Sequence, residues 1–228
     1  DTTAATVELT YTPRWAATNK TLVDVAIQFS EPVVGLTDAD IQVGGTSDAA
    51  TPWTVDPVVG SGASYAFTIE NADPADGTLS IGIPAVATTD PAGNPNTASI
   101  VHTIAIDRTV PRAYAPASRL RSGLSLTTSV PVTISWTGTD WSTGSGIAYY
   151  DVARSYDGGA FAVYKTGIAG TSLSAWQTSG HSYRYEVRAH DRAGNVGNWT
   201  PGIVTTASFA VPPSLPSPGR GAPAVHPH

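Results

Sequence analysis

The chain has no cysteine and no methionine, and only 13% of its 228 residues are charged. Without cysteine there are no disulfides, no cysteine-ligated zinc or iron–sulfur cluster, and no thiol catalysis. The redox compartment stays open, since an exported protein can do without disulfides. Methionine is missing even at position 1, and no basic segment followed by an apolar stretch opens the chain. The sequence therefore reads as a fragment or a processed chain whose targeting signal has been removed. No run of about 18 apolar residues exists, so no membrane-spanning helix is expected. The charged share is about half the usual one, which excludes a disordered polyelectrolyte or a long solvated helix. Apolar residues at helical spacing are also lacking.

What is present is turn residues and alternation. There are 22 glycines and 18 prolines. Val23, Val25, Ile27 and Phe29 alternate with polar or small residues, as do Tyr65, Phe67 and Ile69, and then Leu79, Ile81 and Ile83. Further on, Val130, Val132, Ile134 and Trp136 share one face. Tyr183, Tyr185, Val187 and Ala189 share another, opposite Arg184, Glu186, Arg188 and His190, which are expected to face water. A period of two sends one set of side chains inward and the other outward on a strand. Asp73-Pro74, Asp76-Gly77, Gly144-Ser145-Gly146 and Asp157-Gly158-Gly159 punctuate the runs, and Asp-Gly suits a tight hairpin. Several short strands per ~100 residues read as antiparallel sandwiches.

The chain repeats itself at long range. Asp1-Thr2-Thr3 resembles Asp107-Arg108-Thr109, and Asp90-Pro91-Ala92-Gly93-Asn94 resembles Asp191-Arg192-Ala193-Gly194-Asn195. The expected units are residues 1–106 and 107–210, followed by a flexible Pro/Gly/Ser-rich tail or linker over 211–228. Charge divides along the same line. Residues 1–106 carry twelve acids against Arg14 and Lys20, whereas 107–210 carry six acids against nine bases. Two unrelated modules side by side account for this, and a polyanion site or a cation site would also produce it.

The first unit resembles the bacterial Ig-like repeats of large exported surface proteins. The resemblance lies in Phe29-Ser30-Glu31-Pro32-Val33, Leu36-Thr37-Asp38-Ala39-Asp40-Ile41, Asp76-Gly77-Thr78-Leu79-Ser80-Ile81 and Thr89 to Asn94. The second resembles a fibronectin type III module through Val132 to Trp136, Gly146-Ile147, Tyr150-Asp151-Val152 and Tyr183 to Ala189. That resemblance implies that Trp136 is a core tryptophan and that Tyr183 is a corner tyrosine bonding back to nearby backbone. It also implies export, a place among repeated modules, and a spacing, adhesive or glycan-associated role.

Catalytic patterns are sparse. Gly60-Ser61-Gly62-Ala63-Ser64 lacks the spacing of a nucleophile elbow. His102, His181 and His190 stand isolated in the sequence, and His226 and His228 lie in the tail. Ser155-x-Asp157-x-Gly159 partly resembles an aspartate box but fits a plain hairpin better. Asn19-Lys20-Thr21 and Asn198-Trp199-Thr200 are formal glycosylation sequons, and they carry no weight in a bacterial-type chain. No enzyme activity is expected.

One carboxylate pattern occurs twice. In an Ig-like sandwich, the loop after the second strand and the loop before the last strand lie at the same end as the N-terminus. Those places hold Glu31, Asp90 with Asn94, and Asp1 in the first unit. In the second they hold Asp140, Asp191 with Asn195, and Asp107. Calcium takes six to eight oxygen ligands, and such residues with loop carbonyls could supply them. Asp and Asn in Asp-x-Ala-Gly-Asn also cap tight turns unaided, with Gly supplying positive φ. Both readings stand at this point. A second feature is aromatic: Trp15, Trp53, Trp141, Trp176 and Trp199 fall outside the alternating runs, and Trp141 and Trp199 are candidate glycan-stacking residues.

The expectation is an all-β chain of two tandem antiparallel sandwiches, Ig-like then fibronectin III-like. Its role is that of a non-catalytic structural or adhesive module of an exported bacterial cell-surface or secreted protein. The alternative is a carbohydrate-binding accessory module of a polysaccharide-active enzyme. No cofactor is required, although calcium is a candidate. Expected partners are neighbouring domains of a longer chain and an extracellular polysaccharide or surface protein. No nucleic acid and no membrane span are expected, and the chain is expected to be monomeric.

Overall fold

The computed structural model describes residues 1–12, 17–46, 53–70, 75–121, 128–141 and 144–208. Trp15, Asp73-Pro74, the tail over 211–228 and its His226 and His228 lie outside the described residues.

The alternating runs become strands. In Leu22–Phe29 every second residue is buried, which puts Val23, Val25, Ile27 and Phe29 in the interior. This strand pairs antiparallel with Val7–Thr12 on one side and Ser64–Glu70 on the other. Thr54–Val55 and Val59–Ser61 both pair with Ser64–Glu70 to complete a five-stranded sheet. The facing sheet orders Ala17–Thr18, His102–Ile106, Gly77–Gly82 and Gln42–Gly45. Its pairings are antiparallel except one: Ala17–Thr18 runs parallel to His102–Ile106. Val7–Thr12 and Ala17–Thr18 thus lie in different sheets. Leu9, Ile41, Phe67, Ile69, Leu79, Ile81, Ile83, Ile104 and Ile106 fill the space between the sheets.

The second half repeats the two-layer plan with different strands. Ala117–Leu120, Ser129–Ser135 and Ser172–Thr178 form a three-stranded sheet. Ala162–Ile168, Ile147–Tyr156, Ser182–Asp191 and Thr200–Thr206 form a four-stranded one. A second hydrophobic cluster, sharing no residue with the first, lies between them. It contains Val132, Ile134, Trp136, Tyr150, Val152, Tyr183, Tyr185, Val187 and Ala189. Trp136 packs edge-on to Tyr150 at 5.7 Å. The Tyr183 hydroxyl accepts the backbone N–H of Thr178 at 2.8 Å. Each unit is a β-sandwich, and among the described residues the helical content is a single 3-10 turn, Asp38–Asp40.

Four sequence expectations are corrected here. Trp53 is 7% exposed and belongs to the first core. Asp76-Gly77 is not a hairpin tip, because Gly77 opens strand Gly77–Gly82 and Asp76 binds the segment after Ile106. Arg188 and His190 do not simply face water. They converge on Asp151, which is 3% exposed on the outward face of its strand. His181 and His190 are therefore isolated only in sequence. By contrast, Asp157 and Gly158, at φ 48° and 75°, do turn the hairpin between Ile147–Tyr156 and Ala162–Ile168.

Candidate functional site: an acidic cluster at the junction

The segment Asp191 to Asn195 leaves the end of strand Ser182–Asp191. One carboxylate oxygen of Asp191 accepts the backbone N–H groups of Gly194 and Asn195, each at 2.7 Å. Gly194 has φ +99°, a conformation costly to any residue with a Cβ. The Asn195 amide nitrogen donates to the other Asp191 oxygen and to the Asp107 carbonyl, both at 2.8 Å. The first unit makes the same turn from Asp90 to Asn94. Asp90 accepts the Asn94 backbone N–H at 2.8 Å, and Gly93 has φ +93°. The Asn94 amide nitrogen donates to Asp90 at 2.7 Å and to the Asp1 carbonyl at 3.3 Å. The sequence repeat is a structural repeat, differing in that the Gly93 N–H donates to the Asp90 backbone carbonyl rather than to its carboxylate.

Each turn gathers carboxylates from two other segments. Asp107, Asp140 and Asp191 each bring an oxygen within 4.8 Å of the other two, and so do Asp1, Glu31 and Asp90. The structure thus brings together the two acidic groups expected from the sequence, with Asn94 and Asn195 meeting them through their amide nitrogens.

The two clusters differ in burial. The turn aspartates Asp90 and Asp191 are both buried, at 2% and 4% exposed, but Asp107 is 1% exposed whereas its counterpart Asp1 lies in the open. Asp107 accepts the backbone N–H of Ser145 at 2.5 Å and of Thr109 at 3.2 Å. Asp140 accepts those of Gly146 at 2.7 Å and Trp141 at 3.1 Å. Among the described residues no Lys, Arg or His side chain forms an ion pair with these three. Two like charges about 4–5 Å apart repel by about 3–4 kcal/mol at an effective dielectric near 20. Burial, and then the charges of Asp107 and Asp191, push the Asp140 carboxyl above its ordinary range. At the exposed end, the hydrogen bond from the Asn94 side chain holds Asp90 below its ordinary range. All three junction side chains are hard oxygen donors, the kind that calcium takes and softer metals do not prefer.

The segment that carries Asp107 is bound to both units. The Asp107 N–H donates to the Thr18 carbonyl at 3.0 Å. Asp76 accepts the Arg108 N–H at 2.6 Å and the Thr109 hydroxyl at 2.5 Å. The Arg108 guanidinium reaches the Lys20 carbonyl at 3.1 Å. Asn19 then bridges directly to the second unit. Its backbone N–H donates to the Ala193 carbonyl at 3.2 Å, and its side chain donates to Asn195 at 3.1 Å. Asp76 and Asn19 had no signature in the sequence, because their partners lie 32 and 176 residues away.

Of the aromatic candidates, Trp141 is 69% exposed, on the loop that follows Asp140. Trp199 is half-buried, with the Arg188 guanidinium 4.6 Å above its ring. Arg188 and His190 both donate to the same Asp151 oxygen, at 2.9–3.0 Å and 2.8 Å. Burial alone would raise Asp151, but these two hydrogen bonds outweigh it and hold the carboxyl below its ordinary range.

No protein-family model matches the chain. In sequence it is 37% identical over 134 residues, 56% of its length, to Exoglucanase B of Cellulomonas fimi. It spans only 12% of the length of that enzyme. In structure, domains from titin superpose with a TM-score of 0.53 at 15% identity, covering 91% of this chain and 67% of that one. Fibronectin(III)-like modules of Clostridium thermocellum CbhA give a TM-score of 0.36 at 15% identity, covering 88% of this chain and 95% of that one. With the titin likeness and the two separate cores, the chain is a pair of tandem β-sandwiches of the Ig-like and fibronectin III-like kind.

Proposed function

We propose that the chain is a non-catalytic, two-domain module of a longer exported bacterial protein, divided at residues 106/107. Its role is to hold neighbouring domains at a fixed spacing and angle. The observation that carries this reading is the junction itself, where Asp76, Thr18, Asn19 and Asn195 tie the connecting segment to both sandwiches. A fold of this kind does not by itself imply a reaction. The short share of the exoglucanase that the chain matches fits an accessory segment within a larger protein. On this reading the protein is secreted or displayed at the cell surface. The test is backbone 15N relaxation of both units. One common tumbling time supports the rod, and two independent times overturn it. Capture of a specific, tightly bound surface protein would move the assignment to adhesin.

The uncompensated carboxylates extend the reading. Calcium held by Asp107, Asp140 and Asp191, with Asn195 orienting them, would relieve their repulsion and brace the angle between the units. Asp1, Glu31 and Asp90, with Asn94, form the exposed counterpart. A calcium site at ~100 times its dissociation constant adds about 2.7 kcal/mol, or several degrees of melting midpoint. That rise should appear with calcium, vanish with chelator and be absent in Asp107→Ala combined with Asp191→Ala. An unchanged midpoint at millimolar calcium removes the ion and leaves the direct lock.

The exposed Trp141 ring and the exoglucanase relative favour a second reading, a carbohydrate-binding accessory module. Retention on insoluble polysaccharide that is lost in Trp141→Ala supports it. Absence of retention overturns it, and retention unchanged in that variant and in Trp199→Ala removes these two rings from the binding face.

A further inference from the structure

Along the seam between the sandwiches runs a groove of about 760 Å³ with walls from both units. Asn19 and Lys20 of the first unit form one side. Tyr149, His190, Arg192 and Val196 of the second form the other. Its volume falls within the range of small-ligand sites, about 300–1,000 Å³.

The groove has an aromatic floor. The rings of Tyr149 and His190 stack at 4.3 Å with planes 16° apart. His190 is anchored in turn by Asp151, 2.8 Å from its Nε2. Tyr149 is thus held on one face and remains 37% exposed. A ring fixed in this way offers its surface to a ligand at little further cost in order. Val196, 44% exposed, extends the apolar floor.

The rim is cationic. Lys20 and Arg192 are both exposed. The acid in the wall, Asp191, is 4% exposed and spent on its own turn. The charged side chains that a ligand in the groove can touch are therefore Lys20 and Arg192, with the carboxylates of the junction cluster buried behind the wall. Arg192 lies along the rim, donating one N–H to the Ser145 carbonyl at 3.2 Å. A guanidinium has five donors, so others remain for a ligand.

The groove lacks what an extended peptide would need. Recognition by strand addition requires a free strand edge. Here Ile147 and Tyr149 already pair with Asp191 and His190, and His190 also bridges to Val196. A rigid ring with one apolar face and an anionic substituent suits an aromatic floor with a cationic rim better.

We propose that this groove binds an acidic oligosaccharide. The C–H face of a uronic acid residue lies on Tyr149, and its carboxylate is met by Lys20 and Arg192. The proposal concerns a different surface from Trp141, and its contacts are made by Tyr149, Lys20 and Arg192 rather than by the carboxylates of the junction cluster.

The experiment is calorimetric titration of the intact chain with an oligogalacturonate. A neutral cello-oligosaccharide of equal length and a poly-glutamate peptide serve as comparisons. The oligogalacturonate should bind, and the two comparisons should bind at least about tenfold more weakly. Tyr149→Ala should weaken binding about tenfold, the usual worth of an aromatic contact. Lys20→Ala with Arg192→Ala should weaken it similarly and remove its sensitivity to about 0.5 M salt. Both substituted residues of the pair are exposed, so that variant keeps its fold, and its melting midpoint checks this. Absence of binding, equal binding of the neutral sugar, tighter binding of poly-glutamate, or indifference to both variants overturns the proposal. Titrations are run with calcium and with chelator. Binding in either condition supports the groove, whatever the melting midpoint does.

Discussion

The turns at Asp90–Asn94 and Asp191–Asn195 share four of five residues, a positive-φ glycine and the bonds from the Asn backbone and side chain to the Asp carboxylate. Their surroundings differ. At the first, Asp1 and Pro91 to Gly93 are open to water. At the second, Asn19 packs over the turn and Asp107 is 1% exposed. One motif is thus a surface turn in one place and the keystone of a junction in the other. The lesson is that the motif fixes the local bonds, while burial by a neighbouring unit decides what those bonds are worth. An unpaired polar group costs little beside water and about 1–3 kcal/mol when buried.

The two ends can be separated by substitution. Asn195→Ala orphans the Asp107 carbonyl and an Asp191 oxygen at a buried site and also removes the partner of Asn19. It should cost about 2–3 kcal/mol. Asn94→Ala orphans an oxygen of Asp90, itself 2% exposed, but its bond to the Asp1 carbonyl lies beside water and no counterpart of Asn19 is lost, so it should cost less, about 1–2 kcal/mol. Urea denaturation of both variants measures the difference, and equal losses would erase the distinction drawn here.

The two clusters should also respond oppositely to pH. Asp140 is shifted upward, so its folded form holds the proton more tightly than its unfolded form. Without calcium, its contribution is present below its ordinary value near 3.8 and is lost as pH rises through the higher folded value. Asp90 is shifted downward. Its contribution is present above 3.8 and is lost as pH falls through the lower folded value. Stability measured against pH in chelator, for Asp140→Asn and Asp90→Asn separately, should show the two slopes with opposite sign. Saturating calcium should flatten the Asp140 slope.

Asp76 marks a further difference, since it binds the backbone and the Thr109 hydroxyl of the connecting segment. Asp76→Ala should cost only about 1 kcal/mol, while small-angle scattering should report a wider range of interdomain angles. The smallest contrast concerns the two glycines. Gly93→Ala and Gly194→Ala force the same left-handed strain, about 1 kcal/mol each. The nearest atom to an added methyl at Gly194 is Asn19 at an ordinary 3.6 Å. Near-equal losses are expected, and a much larger loss at Gly194 would mean that Asn19 cannot give way.

The sandwiches were legible in the sequence because strand alternation is a local signal. Val23 to Phe29 and Tyr183 to Ala189 lie inside as their spacing requires. The acidic clusters were legible because a repeated turn at about one hundred residues' separation could be placed on a known end of the fold. Trp53 was not, since it precedes a strand of only two residues, Thr54–Val55, and has no alternating neighbours. Asp151 was also hidden. It sits on the outward side of its strand, and its burial comes from Arg188 directly across the sheet and from His190 two residues beyond. The groove between the units has no sequence signal, because Lys20 and Tyr149 meet only through the docking of two separately folded units.

The parallel pairing of Ala17–Thr18 with His102–Ile106 bears on how the molecule carries load. If the chain is drawn out from its two ends, these strands are pulled in opposite directions along their length. Their hydrogen bonds, and the one from Asp107 to Thr18, are then sheared together rather than opened one at a time. Once Val7–Thr12 has been drawn off its partner strand, tension on the first sandwich would fall on this short parallel clasp, beside the acidic cluster at the junction.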